Sequence, residues 1–227
     1  MSALELSLEL DINRSTVYRN LNAMKEELIV IQNLTNKKFS IGPTAYHIGA
    51  TYLSNFDETM QIRYILNRIA IQLKQSVGYS KLVGDKIINI IEIETYQPIK
   101  IGYRQGGYFP FNRGAYGKCI MAFYEPREEM EQIIRRQVFE KKTINTITDH
   151  NKLLEEYSKI RDLGYAISDE ENLYGVIGIG APVKNSRGVV VGSIATAVVK
   201  TQVNEKYIER LIILMIEGAR EISQYII

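Results

Sequence analysis

Val17, Leu21, Met24 and Leu28 recur at helical spacing, and this predicts a helix from about residue 14 to residue 28 with one apolar stripe. Asn13 stands at its start as an N-cap. Ahead of it, residues 2–10 alternate polar and apolar, which is the period of a strand. Leu and Glu are good helix formers, however, and Ser2 with Glu5 has the spacing of a capping box, so a helix is predicted there, followed by a short turn. Two β-prone runs at 29–32 and 39–42 flank a polar turn at 33–38, the signature of a hairpin. Pro43 opens a further helix with Ala45, Tyr46, Ile48, Gly49, Tyr52 and Leu53 on its apolar side, closed by Asn55-Phe56-Asp57.

From residue 58 the pattern changes. Ile62, Ile65, Leu66, Ile69 and Leu73 mark a helix to about residue 75. Strands are predicted at 79–84, 87–95 and 98–104, with tight turns at Gly84-Asp85 and Gln97-Pro98. Residues 113–124 read as a helix, Pro126 starts another, and Asp149 caps a third that runs to about residue 163. Strands follow at 165–168, 176–183 and 189–199, and Tyr207, Leu211, Leu214 and Ile222 lie on a closing helix. Hairpins with helices at the ends and on one face make the class α+β, with a largely antiparallel sheet.

Composition narrows the classes. At 45% hydrophobic and 24% charged the chain is an ordinary globular one, and its 227 residues suffice for one large domain or two modest ones. A net charge of +2 does not by itself point to nucleic acid. Between residues 1 and 42, Arg14, Arg19, Lys25, Lys37 and Lys38 are balanced by Glu5, Glu9, Asp11, Glu26 and Glu27, so the cations must be sorted onto one face to act together. Cys119 is the only cysteine, which excludes an intramolecular disulfide and a C-x-x-C metal site. With no signal peptide and no membrane-spanning run, a cytoplasmic protein without membrane contact is expected.

The first helices carry candidate chemistry. With Val17, Leu21 and Met24 turned inward, Arg14, Ser15, Thr16, Tyr18, Arg19 and Asn20 are left on the other faces. Short polar side chains and two guanidinium forks are the groups that reach base edges and phosphates in a major groove. An ordinary amphipathic surface helix has the same periodicity. The hairpin after a helix–turn–helix is a wing, and Lys37 and Lys38 near its tip are placed for backbone phosphates; a plain solvated turn is the alternative.

Taken together, the chain resembles a transcriptional regulator of the IclR family. The similarity runs through Arg14-Ser15-Thr16-Val17-Tyr18-Arg19, Phe39-Ser40-Ile41-Gly42-Pro43, Gly49-Ala50-Thr51-Tyr52-Leu53 and Ala115-Tyr116-Gly117-Lys118-Cys119. It continues through Asn145-Thr146-Ile147-Thr148-Asp149, Gly164-Tyr165-Ala166, Asp169-Glu170-Glu171-Asn172-Leu173-Tyr174-Gly175 and Ala181-Pro182-Val183. The resemblance implies a winged helix-turn-helix at 1–42, a linker helix at 43–57 and a GAF- or profilin-like effector-binding domain at 58–227. It also implies a homodimer, pairing further into a homotetramer, which reads near-palindromic double-stranded DNA in response to a small-molecule effector. The resemblance further implies a first helix ahead of Ser2 that covers the Val17–Leu21–Met24 stripe; that helix is missing from this sequence, so the helix-turn-helix is expected to be incomplete at its N-terminus and part of the stripe exposed. No cofactor is implied.

By the same matching the effector site falls on Pro98, Gly102, Ala115, Tyr116, Ser168, Asp169, Gly178, Ala195 and Ala197. Many relatives carry His-Ala at Asn112-Arg113, an Asp at Ser168, and hydroxyls at Ala195 and Ala197. The expected pocket is therefore roomier and less polar than one for a two- or three-carbon acid. An aromatic or branched carboxylate fits such a pocket. Tyr103, Tyr108 and Tyr116 are candidates to stack on it, unless they simply fill core, and Arg113 or Arg104 to hold its carboxylate.

An enzyme is not expected. Cys119 has no neighbouring histidine in sequence, Asp169-Glu170-Glu171 sits at a strand end, and Gly175-x-x-Gly178-x-Gly180 has no helix after it to make a phosphate loop. The competing expectation is a metabolite-sensing dimerisation protein whose DNA-binding module does not function.

Overall fold

The structure, a computed structural model, describes residues 1–54, 59–94 and 101–226. It divides into two compact units, Met1–Thr59 and Met60–Ile227.

In the first unit, helix α1 (Ala3–Leu10) is started by a full capping box between Ser2 and Glu5 and stopped by Asp11 in the left-handed region at φ 51°. The local caps thus prevail over the strand-like alternation of residues 2–10. Helix α2 (Arg14–Glu26) begins at Asn13, whose Oδ1 accepts from the Ser15 N–H at 2.9 Å. It ends two residues before Leu28, which takes φ 54°. Strands β1 (Val30–Gln32) and β2 (Phe39–Ile41) pair antiparallel with Val30 opposite Ile41. The backbone of Met1 bonds to that of Phe39 in both directions, along the hairpin's outer edge. Ala3, Val17, Leu21, Val30 and Phe39 form the small core, with Leu6 against it, while Met24 is exposed. Only part of the predicted stripe is therefore open to solvent. A Cβ at Gly42 would sit 2.1 Å from the Leu28 carbonyl oxygen, so only glycine lets the chain pass from the hairpin into α3 (Pro43–Ser54) at this point.

The second unit is built on six antiparallel strands in the order β5-β4-β3-β8-β7-β6. These are β3 (Val77–Val83), β4 (Lys86–Ile93), β5 (Tyr108–Phe109), β6 (Ala166–Asp169), β7 (Val176–Lys184) and β8 (Val190–Val199). Helix α4 (Thr59–Leu73) and the C-terminal helix α8 (Glu205–Ser223) lie on one face of the sheet. They approach closely at Gly218, where a Cβ would meet the Ile69 side chain at 2.4 Å. Helices α5 (Ala115–Ala122) and α7 (His150–Leu163) lie on the other face, with α6 (Arg127–Arg135) beside α7. Helices thus cover both faces, where one was expected, because the short α5 returns across the sheet before α7 begins. Ile62, Ile65, Leu66, Ile69 and Leu73 are all buried on the α4 side.

The third predicted strand is corrected in its described part. Residues 101–104 form no strand, and 95–100, with Pro98, lie outside the described residues. The backbone there bonds to side chains instead of a ladder: the Tyr103 N–H donates to Glu92 and its carbonyl accepts from Asn89. The edge strand is β5, which puts Tyr108 opposite Ile88.

Candidate functional site

Two sets of residues are brought together, one in each unit. On α2, Val17 and Leu21 face the core, Arg19 is exposed opposite them, Tyr18 and Asn20 are exposed on the flanks and Arg14 at the first turn, with Thr16 half-buried. Arg14 and Arg19 make no ion pair among the described residues, so both guanidinium groups are available to an anion. Asn13 and Ser15 are exposed but engaged with one another, the Ser15 hydroxyl also donating to Asn13 Oδ1 at 2.8 Å. Lys37 takes φ 57° in the hairpin turn and projects into solvent. Lys38 is paired with Glu5 at 3.3 Å, with both side chains about half exposed; such a pair is weak and exchanges readily for a phosphate.

In the second unit a cavity of about 160 Å³ lies between the sheet and the start of α5. Gly102, Ala115, Tyr116, Ser168, Gly178, Ala195 and Ala197 from the predicted set all line it. Gly178 leaves room for Ala115, whose Cβ would stand 3.5 Å from a Cβ placed there. Helix α5 begins at Gly114 with φ 78°, and no side chain among the described residues caps it. The Gly114 N–H donates to Ser168 Oγ at 3.1 Å. The first turn of α5 therefore opens onto the cavity through Gly114, Ala115 and Tyr116, with N–H groups and the positive end of the helix dipole directed there. Tyr103 and Tyr116 form an aromatic wall, edge-on to one another at 5.7 Å. The Tyr116 hydroxyl donates to the Ala195 carbonyl at 3.1 Å, and burial pushes its pKa well up.

Two predicted residues are not brought to the cavity. Asp169 follows Ser168 on β6, so strand alternation turns it outward, where it pairs with Lys200 at 2.7 Å. Arg113 donates to Asn172 Oδ1 at 3.0 Å and pairs with Glu140, on the rim of a separate, more open cavity of about 320 Å³. Arg104 and Tyr108 are exposed and line no part of the first cavity. Among its described lining residues there is no lysine or arginine.

Glu92 was not anticipated from sequence, although an acid inside the apolar run Ile90-Ile91-Glu92-Ile93 is a signal. A β-bulge explains its position. Tyr79 pairs with Ile91 and Ser80 with Asn89, so Ile90 is the extra residue, and Asn89 and Glu92 come to the same face. Glu92 accepts from Asn89 Nδ2 at 3.0 Å and from the Tyr103 N–H at 3.2 Å. Burial pushes its carboxyl up to about 7 despite those bonds.

A family model described as the C-terminal part of the bacterial transcriptional regulator IclR matches residues 50–224. The chain belongs to the IclR family. Among relatives of this IclR-family chain, the HTH-type transcriptional regulator KdgR of Escherichia coli (strain K12) is 27% identical over 219 residues, covering 96% of this chain and 83% of KdgR. The crystal structure of Thermotoga maritima IclR superimposes with a TM-score of 0.76 at 27% identity, over 99% of this chain and 90% of that one. An IclR homolog from Microbacterium hydrocarbonoxydans, solved with 4-hydroxybenzoate, gives 0.76 at 16% identity over 99% and 90%. The relatives are regulators of transcription and not enzymes, as expected for this chain. No helix among the described residues is long and apolar enough to cross a membrane.

Proposed function

We propose that this chain is a DNA-binding transcriptional regulator controlled by a small carboxylate. Residues 1–42 act as a winged helix-turn-helix, 43–57 as a linker helix, and 58–227 as the effector-binding domain. The observation that carries the DNA half is the solvent face of α2, with Arg14 at its first turn and Arg19 opposite Val17 and Leu21, neither ion-paired among the described residues. A recognition helix reads bases from such a face, and a wing lysine such as Lys38 takes up a phosphate. A second copy is expected to complete the reader of a near-palindromic operator. Tyr46 and Ile48 of α3, both exposed, offer apolar surface for that copy.

The carboxylate belongs at the uncapped start of α5. With no lysine or arginine among the described lining residues, the helix N–H groups and Ser168 are the donors that remain for an anion. The aromatic wall of Tyr103 and Tyr116 suits a ring or a branched chain, and a relative binds 4-hydroxybenzoate. One observation favours a second reading, a metabolite sensor without DNA binding: Leu4, Leu8, Leu10 and Met24 leave apolar surface uncovered in the first unit. Fluorescence anisotropy on DNA from upstream of the chain's own gene, beside scrambled DNA at two salt concentrations, separates the two. Specific, salt-steep binding supports the regulator; no binding at low salt supports the sensor.

A further inference from the structure

Behind the cavity wall at Gly102 lie two polar groups that a carboxylate at α5 leaves unused, Ser76 and Glu92. Ser76 is 3% exposed, and its Oγ has no hydrogen-bond partner among the described residues. A Cβ placed on Gly102, a residue of the cavity wall, would lie 3.5 Å from that Oγ and 3.5 Å from Glu92 Oε1. The bare Cα of Gly102 thus leaves one small space beside both atoms. The Ser76 backbone is held in place, its carbonyl accepting from the Thr196 hydroxyl at 2.8 Å. Each oxygen of Glu92 accepts one hydrogen bond, from Tyr103 or from Asn89, and each can accept another. Among the described residues, the ionisable groups that act on Glu92 are Glu94 just beyond its strand, Tyr103 from the following loop and Tyr116 from α5, and none of these is a cation.

We propose that Glu92 and Ser76 are the specificity end of the cavity and read a hydroxyl group on the effector. A ligand hydroxyl donates to Glu92 and accepts from the Ser76 hydroxyl, which satisfies both buried groups at once. The effector class is then a small hydroxycarboxylic acid, and this rests on the carboxylate reading above. A plain acid leaves Ser76 unpaired, at the cost of a buried hydrogen bond. A dicarboxylate sets a second anion against Glu92. An amino acid offers only donors there and gives Ser76 nothing to bond to.

The test is isothermal titration of the full chain with two sets of acids, 4-hydroxybenzoate, benzoate and terephthalate, and 3-hydroxybutyrate, butyrate and succinate. In at least one set the hydroxy acid is expected to bind about tenfold tighter than its two analogues, the ratio that one buried hydrogen bond supplies. Glu92→Gln and Ser76→Ala should each bring that ratio close to one. Gly102→Ala puts a methyl group in ordinary contact with both atoms, so it should fold and lose the preference. Acids that bind with the same ratio in wild type and all three variants, or a plain acid that binds best, would overturn the hydroxyl inference alone. If no acid of either set binds, the carboxylate reading itself fails and the inference with it.

Discussion

Lys118 is fully buried, and its ammonium group is held by Glu156 at 2.7 Å, Glu171 at 2.5 Å and the Ile167 carbonyl at 2.7 Å. It ties α5 to α7 and to the turn after β6; the start of α5 and that turn both contribute to the cavity wall. Burial raises the pKa of Glu171 even with that cation beside it. Replacing Lys118 by Met would strand Glu171 without its cation, and a loss of about 3–5 kcal/mol is expected in urea unfolding. A K118M/E171Q double variant should recover part of it; a single variant as stable as wild type would show that the ion pair carries no weight. Glu92 makes a different prediction, in pH. Its folded pKa is about 7 against an ordinary 4.5, so between those values the folded chain keeps a proton that the unfolded chain has lost. Stability therefore falls as pH rises through this window. Glu92→Gln removes the decline, and its advantage over wild type should grow by about 2 kcal/mol between pH 5 and pH 8. Parallel stability–pH curves for the two proteins would contradict the shift.

At the scale of elements, the N-cap of α2 is the cheapest to test. Asn13→Ala removes the acceptor of both the Ser15 N–H and the Ser15 hydroxyl, and about 1 kcal/mol of stability should go with it, while Asn13→Asp should be tolerated. Circular-dichroism melting of the first unit's transition measures both. Caps of this kind were legible in the sequence because they are local: Ser2 with Glu5, Asn13 and Asp149 all act within three residues. So was the apolar periodicity of α4, whose predicted positions are buried. The bulge at Ile90 was not, because it depends on pairing with β3, and with it went the position of Glu92. The strand expected at 98–104 fails at 101–104 for the same reason: the side chains of Glu92 and Asn89 take the backbone bonds of Tyr103. The motif puts Ser168 and Asp169 side by side, but strand alternation permits only one of them to face the cavity. Arg113 could not be placed, since its partner Asn172 lies 59 residues on.

At the scale of the whole molecule, DNA and effector must be linked through one equilibrium if the chain is a regulator. The DNA side is tested by Arg14→Ala, which should weaken an operator by about 1–3 kcal/mol and random DNA far less, whereas Lys38→Ala should weaken both alike. Equal losses from both variants on both DNAs would contradict those roles. The effector side is tested by filling the cavity. Gly178 sits where its missing side chain would point at Ala115 and Ser168, beside the start of α5, and a strand accepts a β-branched residue. Gly178→Val should leave operator affinity unchanged in the absence of ligand. In wild type a saturating effector should shift that affinity by about 5–150-fold, the usual range of a coupling between two sites. Linkage then requires operator DNA to shift the effector's affinity by the same factor, since the coupling free energy belongs to the pair. In Gly178→Val both shifts should vanish together, read by anisotropy in one direction and calorimetry in the other. A variant that still responds to effector would place the effector site outside this cavity, and one that loses ligand-free DNA binding would mean that the cavity supports the DNA-binding state without any ligand.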